Sequence, residues 1–215
     1  MKNKLKKILP SVEKPTRYIG TEFNSVHKDL NGINIRFAFC FPDVYEVGMS
    51  HLGMKILYHL LNSVDDIYCE RVFAPWVDME EKMRENDIPL FSLETMSPVS
   101  DFDFIGFTLQ YEMSYSNIVN MLKLANVAPK SCDRKEGDPF VCFGGPCAYS
   151  SEAIADFADF YMLGEGEEVM IEVMDAYREW KKRGGTRFEF LKEISQIGGI
   201  YVPSFYEISY NDDGT

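Results

Sequence analysis

The stretch PFVCFGGPCAYSSEAIADFADFYMLGEGEE, residues 139–168, contains two apolar runs that each stop at a glycine-rich turn. Gly-Gly-Pro follows the first run at 144–146, and Gly-Glu-Gly-Glu-Glu follows the second at 164–168. Between the two runs, residues 151–157 predict a short helix. A strand, a helix and a second strand in this order are the repeating unit of a parallel sheet. This stretch therefore predicts an α/β fold.

The same alternation recurs in the rest of the chain. Residues 33–41 alternate at first and end as a continuous apolar run, which predicts a strand buried on both faces of a sheet, and residues 103–110 predict another buried strand. Residues 67–75 predict a further strand. Residues 89–94 predict either a short extra strand or an extended loop. Amphipathic patterns predict helices at 52–61, 78–86, 118–125 and 167–183. Together these elements predict a flavodoxin-like or Rossmann-like, mainly parallel sheet of about five strands with helices on both faces.

The domain organisation follows from length and from these patterns. A chain of 215 residues can bury one good core. We assign residues 31–185 to the Rossmann-like domain, residues 1–30 to an N-terminal arm, and residues 186–215 to a C-terminal extension with a short helix and an extended segment. The final residues NDDGT are a turn signal, so we expect this sequence to be part of a longer protein.

Charge and hydropathy limit the partners of this chain. It has 22 basic and 34 acidic residues, a net charge of −12, so direct binding to nucleic acid is not expected. The basic cluster at residues 2–7 precedes Pro10 without the apolar segment of a signal peptide. No apolar run approaches the roughly 18 residues of a membrane span. These features predict a cytoplasmic protein without a membrane partner.

The cysteines indicate free thiols. There are 5, an odd number, and none forms a C-x-x-C motif. Cys142 and Cys147 flank the Gly-Gly-Pro turn and could form a two-ligand metal clip, but packing is the favoured interpretation. No serine, cysteine or histidine lies beside an evident catalytic partner, so we predict neither a metal ligand nor a catalytic residue.

Parallel strands deliver their following loops to the same edge of the sheet, where ligands bind near the reversal of strand order. Glycine turns at that edge have two explanations. They either let the backbone approach a large ligand closely, or only relieve crowding in a tight turn. The acidic residues of 164–168 complement the dipole of the following helix without any ligand, and they would repel a phosphate.

Several motifs resemble the N-terminal cobalamin-binding-type domain of a family of radical SAM proteins. They are GGP at 144–146, GEGE at 164–167, PDVYEVGMSHLG at 42–53, IGFTLQYE at 105–112, RYIGTEFNSV at 17–26 and ERVFAPWVDME at 70–80. The resemblance implies a longer protein with a downstream radical SAM barrel, which binds a four-iron four-sulfur cluster through C-x-x-x-C-x-x-C and uses S-adenosylmethionine. That motif is absent here, so this chain is expected to be an accessory domain that is not catalytic alone.

The resemblance also implies a cobalamin site. Relatives that ligate cobalt use D-x-H-x-x-G, whereas this chain has Asp43, Tyr45 and Gly48 at those positions. A neutral phenol is a poor cobalt ligand, so we expect cobalamin to bind without protein ligation. Two alternatives are open: a degenerate domain that binds no corrin and serves as a docking scaffold, and a flavodoxin-like enzyme that uses a flavin or another nucleotide.

The candidate cofactor-binding residues follow the ends of four predicted strands. They are Pro42, Asp43, Tyr45, Gly48, Met49, Thr108, Leu109, Gln110, Tyr111, Gly144, Gly145, Pro146, Gly164 and Glu165. The first loop and the end of the 103–110 strand are expected to form the corrin floor, with a slot for the nucleotide tail at Gly145. We expect Gly145→Trp to block corrin uptake without unfolding the sheet. His51 is interpreted as a helix-terminal residue bonded to local backbone rather than as a replacement cobalt ligand.

Overall fold

Six strands form a single sheet in the computed structural model of the protein, which describes residues 1–213. They are β1 (Ile35–Phe41), β2 (Ile67–Phe73), β3 (Phe104–Thr108), β4 (Phe140–Gly144), β5 (Phe160–Met162) and β6 (Ile200–Tyr201). Their order across the sheet is β2-β1-β3-β4-β5-β6. Strands β1 to β5 are parallel, and β6 pairs with β5 in the antiparallel sense. The sheet confirms the predicted α/β, Rossmann-like fold.

One helix precedes β1, and the other helices lie between successive strands. They are α1 (Lys2–Ile8), α2 (Tyr45–Ser50), α3 (Leu52–Asn62), α4 (Val77–Glu85), α5 (Tyr115–Leu124), α6 (Gly166–Arg183) and α7 (Arg187–Ile194). Residues 89–94 form an extended loop, with an isolated bridge between Phe91 and Pro98. None of the helices within residues 1–213 has the length and apolar character of a membrane-spanning segment.

The connection between β4 and β5 differs from its prediction. The sequence predicts a helix over 151–157, but the structure has 3₁₀ turns across Pro146–Phe157. Non-helical backbone at Ser150 and Ile154 interrupts them. In this segment the buried residues are Ala148 and Ile154, so it lacks the continuous apolar stripe by which packing stabilises an α-helix.

Alternate residues of the strands divide the core into two faces. Face A is the side of the sheet that carries Phe37 and Phe39, and it packs against α3, α6 and α7. Face B carries Ala38 and Cys40 and packs against α1, α4 and α5. Every residue of β3 is buried, as expected for a central strand covered on both sides. The predicted placement of helices on both faces is therefore confirmed.

The segments outside the central unit also pack on the sheet. From the arm, Leu5, Ile8 and Tyr18 are buried against face B. From the C-terminal extension, Phe190 and Ile194 of α7 are completely buried on face A. Since both segments bury apolar side chains in the common core, they contribute to its stability.

A buried cluster of charged side chains lies at the amino edge of the sheet, where β4 and β5 begin. One oxygen of Asp159, Oδ2, accepts from Arg134 Nη1 at 2.8 Å and from the backbone N–H of Val141 at 2.7 Å. The same oxygen lies 2.9 Å from Nη2 of Arg187, which opens α7. Burial lowers the pKa of Arg134, and Asp159 opposes that shift. The cluster joins β4, β5 and α7.

Candidate functional site

The carboxyl edge of the sheet contains the reversal of strand order. The chain passes from β1 to β2 on one side and later enters β3 on the other side of β1. Ligands of open parallel sheets bind outside the carboxyl ends of the strands at such a point. The loops after β1, β3, β4 and β5 are therefore the segments in which to look for a site.

A cavity of about 340 Å³, here called the carboxyl-edge cavity, lies on face A between α3 and α6. Its apolar walls include Leu57 of α3, Met162 of β5 and Met170 of α6. Phe37 and Phe39 of β1 line it from the sheet. A cavity of this size and lining is suited to a planar apolar group rather than to an ion.

A glycine inside β3 shapes the cavity floor. A Cβ atom at Gly106 would lie 2.3 Å from the ring of Phe37, so the ring crosses β3 only because that position lacks a side chain. The same ring stacks on Phe104, with centroids 6.0 Å apart. Sequence reasoning did not single out Gly106, although a glycine within a buried strand is a signal of close approach.

Polar groups converge at the mouth of the cavity. The Thr108 hydroxyl, on a residue only 8% exposed, accepts from Gln110 Nε2 at 2.5 Å. Gly166 and Glu167, at the start of α6, also line the cavity. The His51 ring also lines the cavity, and its Nδ1 accepts from the backbone N–H of Met54 at 3.1 Å. The predicted local backbone bond of His51 is therefore confirmed.

The turn after β4 is tight for internal reasons. Gly145 has φ of +99°, and a Cβ there would lie 2.9 Å from the carbonyl oxygen of Leu109. That carbonyl accepts from Cys147, and the N–H of Leu109 donates to Gly144. The room that was expected for an indole at Gly145 is absent already at the Cβ position, so we now expect Gly145→Trp to distort this turn. Relief of crowding is sufficient to explain this glycine.

Tyr45 and Gly48, in the first part of the connection after β1, do not line the carboxyl-edge cavity. Tyr45 donates to Glu22 at 2.6 Å and packs edge-on against Phe73. Burial, together with the Glu22 carboxylate, raises the pKa of Tyr45 to about 12. Gly48 also lies on Phe73, whose ring would be 2.2 Å from an added Cβ. The tyrosine that replaces the cobalt-ligating histidine of the related motif therefore faces the N-terminal arm.

Gly48 and Met49 line a different hollow of about 240 Å³, here called the arm cavity. The guanidinium of Arg71 lies at its base and is almost completely buried. It donates to Glu94 at 2.6 Å and to Glu22 at 2.8 Å. Since two carboxylates already pair with this cation, the arm cavity is explained as the seam that joins the arm to β2.

A hydrogen bond joins the loops after β1 and β3. The hydroxyl of Tyr111 donates to Asp43 Oδ2 at 3.0 Å, and the carbonyl of Pro42 accepts from Asn117 Nδ2 at 2.9 Å. These bonds fix the separation of the two loops beside the reversal of strand order. Glu165 is exposed before α6, and its side chain forms no cap bond with that helix.

The structure thus divides the candidate residues among distinct environments. Those that line the carboxyl-edge cavity are Thr108, Gln110, Gly144, Gly145, Pro146 and Gly164. Leu109 is completely buried in the core. No cluster of three or more histidine, cysteine, aspartate or glutamate side chains arranged to hold a metal ion occurs within the part of the chain that the structure describes.

Comparison with known proteins assigns the family. A family model described as radical SAM proteins, N-terminal, matches residues 53–203, which is most of the chain. The chain belongs to this family. The matched region of this radical SAM N-terminal domain begins in α3 and continues through α7 and β6. It therefore contains most of the carboxyl-edge cavity.

The domain is also similar to an uncharacterised protein of Methanocaldococcus jannaschii. The two are 28% identical over 152 residues, which cover 68% of this chain and 28% of that protein. This chain therefore spans little more than a quarter of that relative's length.

Proposed function

We propose that this radical SAM N-terminal domain is the accessory domain of a radical SAM enzyme and that its carboxyl-edge cavity receives the nucleotide tail of a cobalamin whose cobalt has no protein ligand. The observation that carries the proposal is the apolar cavity at the reversal of strand order, between α3 and α6. The cavity is too small for a whole corrin, so the macrocycle would rest outside it, over the loops of the carboxyl edge.

The residues fit a planar tail. The rings of Phe37 and Phe39 and the side chains of Met162 and Met170 offer an apolar slot for an aromatic base. The slot is open between the helices because position 166 has no side chain: a Cβ at Gly166 would be 3.5 Å from the Leu57 methyl groups. Bound cobalamin would supply a cobalt centre for radical or group-transfer chemistry.

The proposal assigns the radical chemistry to another part of a longer protein. The four-iron four-sulfur cluster and S-adenosylmethionine would bind in a linked radical SAM barrel. Leu52, Met113 and Tyr149 follow β1, β3 and β4, and their side chains are 68%, 85% and 73% exposed. An exposed apolar rim of this kind is typical of a surface that another domain covers. The linked barrel would therefore close the carboxyl edge over the corrin.

A pigment-retention experiment tests the proposal. The purified chain is mixed with hydroxocobalamin and passed through a gel-filtration column, and the visible spectrum of the protein peak is recorded. We expect retained pigment with the wild type and weakening by about tenfold or more in Gly166→Phe, because the phenyl ring overfills the slot. Gly32→Phe is the matched control, since a Cβ at Gly32 meets nothing within 4 Å.

The alternatives predict other results. A colourless wild-type protein would exclude the cobalamin site and favour a docking scaffold that binds no corrin. The strand order β2-β1-β3-β4-β5 is also that of flavodoxin-like folds, which bind flavin mononucleotide at the same reversal. A parallel titration with flavin mononucleotide, followed by its fluorescence, therefore separates the flavin alternative from the other two.

A further inference from the structure

The hydrogen bond at the start of α3 determines which nitrogen of His51 carries a proton. Nδ1 accepts from the backbone N–H of Met54 at 3.1 Å, so its lone pair is directed at that donor. In a neutral imidazole with an accepting Nδ1, the single N–H is on Nε2. Metal coordination requires a free lone pair on the ligating nitrogen. The Nε2 of His51 is therefore a hydrogen-bond donor in this arrangement and cannot ligate cobalt.

The surroundings of the ring leave this donor available. The His51 ring packs against Phe41, with centroids 5.5 Å apart, which fixes its plane. A Cβ at Gly53 would lie 3.0 Å from His51 Cε1, so a glycine at 53 leaves that edge of the ring uncovered. Both residues line the carboxyl-edge cavity. Nε2 has no hydrogen-bond partner among the residues that the structure describes.

We propose that His51 is a positioning residue that donates from Nε2 to an oxygen of the nucleotide tail in the carboxyl-edge cavity. The inference rests on the proposed function, since it names a contact in the same site. The tail carries phosphodiester and ribose oxygens beside its aromatic base, and these oxygens are acceptors for an N–H donor. Glu167 lines the same cavity and would repel the phosphodiester. The phosphodiester is therefore assigned to the His51 side of the cavity.

Two substitutions separate the donor role from the helix cap. Asparagine is among the best N-cap residues, so His51→Asn keeps an acceptor for the Met54 N–H. Its own N–H donors are on a shorter side chain and do not reach the position that Nε2 of His51 occupies. His51→Ala removes both. We expect the stability of His51→Asn in urea to match that of the wild type, whereas His51→Ala loses the cap as well.

Binding of two corrinoids to each variant gives the decisive comparison. We expect His51→Asn to bind hydroxocobalamin about fivefold more weakly, the loss of one hydrogen bond. Its affinity for dicyanocobinamide, which has the corrin amides but no nucleotide tail, should match that of the wild type. Equal affinity of wild type and His51→Asn for hydroxocobalamin would overturn the inference and leave the proposed function standing. Equal weakening with both corrinoids would assign the contact to a corrin amide and overturn the tail assignment.

The cobalt ligand is tested separately. Reduced cobalamin bound to ¹⁵N-labelled protein is expected to show no ¹⁵N hyperfine splitting in its electron paramagnetic resonance spectrum. Splitting that disappears in His51→Asn would make His51 a cobalt ligand and overturn the donor role. If the wild type binds no cobalamin, the proposed function fails, and this inference fails with it.

Discussion

The two edges of the sheet belong to the same strands but differ in how their polar groups are paired. At the amino edge, Asp159 pairs with two guanidinium groups and a backbone N–H inside the protein. At the carboxyl edge, the His51 ring lines a cavity, and its Nε2 atom has no hydrogen-bond partner in the protein among residues 1–213. His51 is half-buried, so water can reach its ring and the ring is also accessible to a ligand. The ion pairs of the amino edge therefore stabilise the fold, whereas the carboxyl edge leaves a cavity and an accessible histidine for the binding that we propose.

The largest loss of stability is expected from a substitution in the ion cluster of the amino edge. Asp159→Ala leaves the buried guanidiniums of Arg134 and Arg187 without their carboxylate, and we expect a loss of about 3–5 kcal/mol of unfolding free energy in urea. Asp156→Ala is the control, because its ion pair with Lys130 is exposed and should be worth under about 1 kcal/mol. If the edges act separately, the folded fraction of Asp159→Ala should bind hydroxocobalamin as the wild type does. A loss below about 1 kcal/mol for Asp159→Ala would contradict the stabilising role.

A smaller effect distinguishes two glycines of the carboxyl edge. Gly145 and Gly164 both have positive φ, but an added Cβ meets the Leu109 carbonyl oxygen at 2.9 Å from Gly145 and only the Tyr149 hydroxyl at 4.0 Å from Gly164. We expect Gly145→Ala to lower the free energy of unfolding by about 2–3 kcal/mol and Gly164→Ala to lower it by about 1 kcal/mol. Thermal or urea unfolding measures both values. Equal losses of stability in the two variants would show that backbone strain, and not crowding by Leu109, is the reason for a glycine at position 145.

The smallest effect depends on pH and again concerns the amino edge. The Arg178 guanidinium and the Asn34 amide hold the pKa of Asp66 at about 2. The folded pKa lies below the ordinary value near 3.9, so this carboxylate stabilises the protein above about pH 4 and loses that effect as the pH falls towards about 2. Because Asp66 is partly exposed, we expect Asp66→Asn to cost about 1 kcal/mol at pH 7.

Urea unfolding of the wild type and Asp66→Asn at pH 7, 5, 4 and 3 measures this effect. The difference between them should be constant above about pH 5 and should shrink at pH 3. Asp175→Asn is the control, since it removes a more exposed partner of the same Arg178 and should change stability by under about 0.5 kcal/mol. A difference that grows towards low pH would refute the assigned direction of the Asp66 shift.

Sequence reasoning located the strands because they are mainly apolar segments between turn residues, a local property of the chain. It also placed Gln110 and Gly164 together at the carboxyl edge, because all parallel strands end there. It did not separate Tyr45 and Gly48 from the carboxyl-edge cavity. Their orientation depends on Phe73 and on the arm, which are distant in sequence. The contact between Gly106 and Phe37 was missed for the same reason, since the two residues are on different strands.

By itself, the sequence determined that this chain forms a mainly parallel sheet with its loops gathered at one edge, because hydrophobic periodicity and turn chemistry act over a few residues. Only the tertiary structure decided which loops share a cavity, that Gly145 is required by the Leu109 backbone, and that the Nδ1 atom of His51 accepts from the Met54 backbone while its ring lines the cavity. These features depend on contacts of a few ångströms between atoms of separate strands and helices. Such contacts join residues that are distant in sequence, so a local sequence pattern does not predict them.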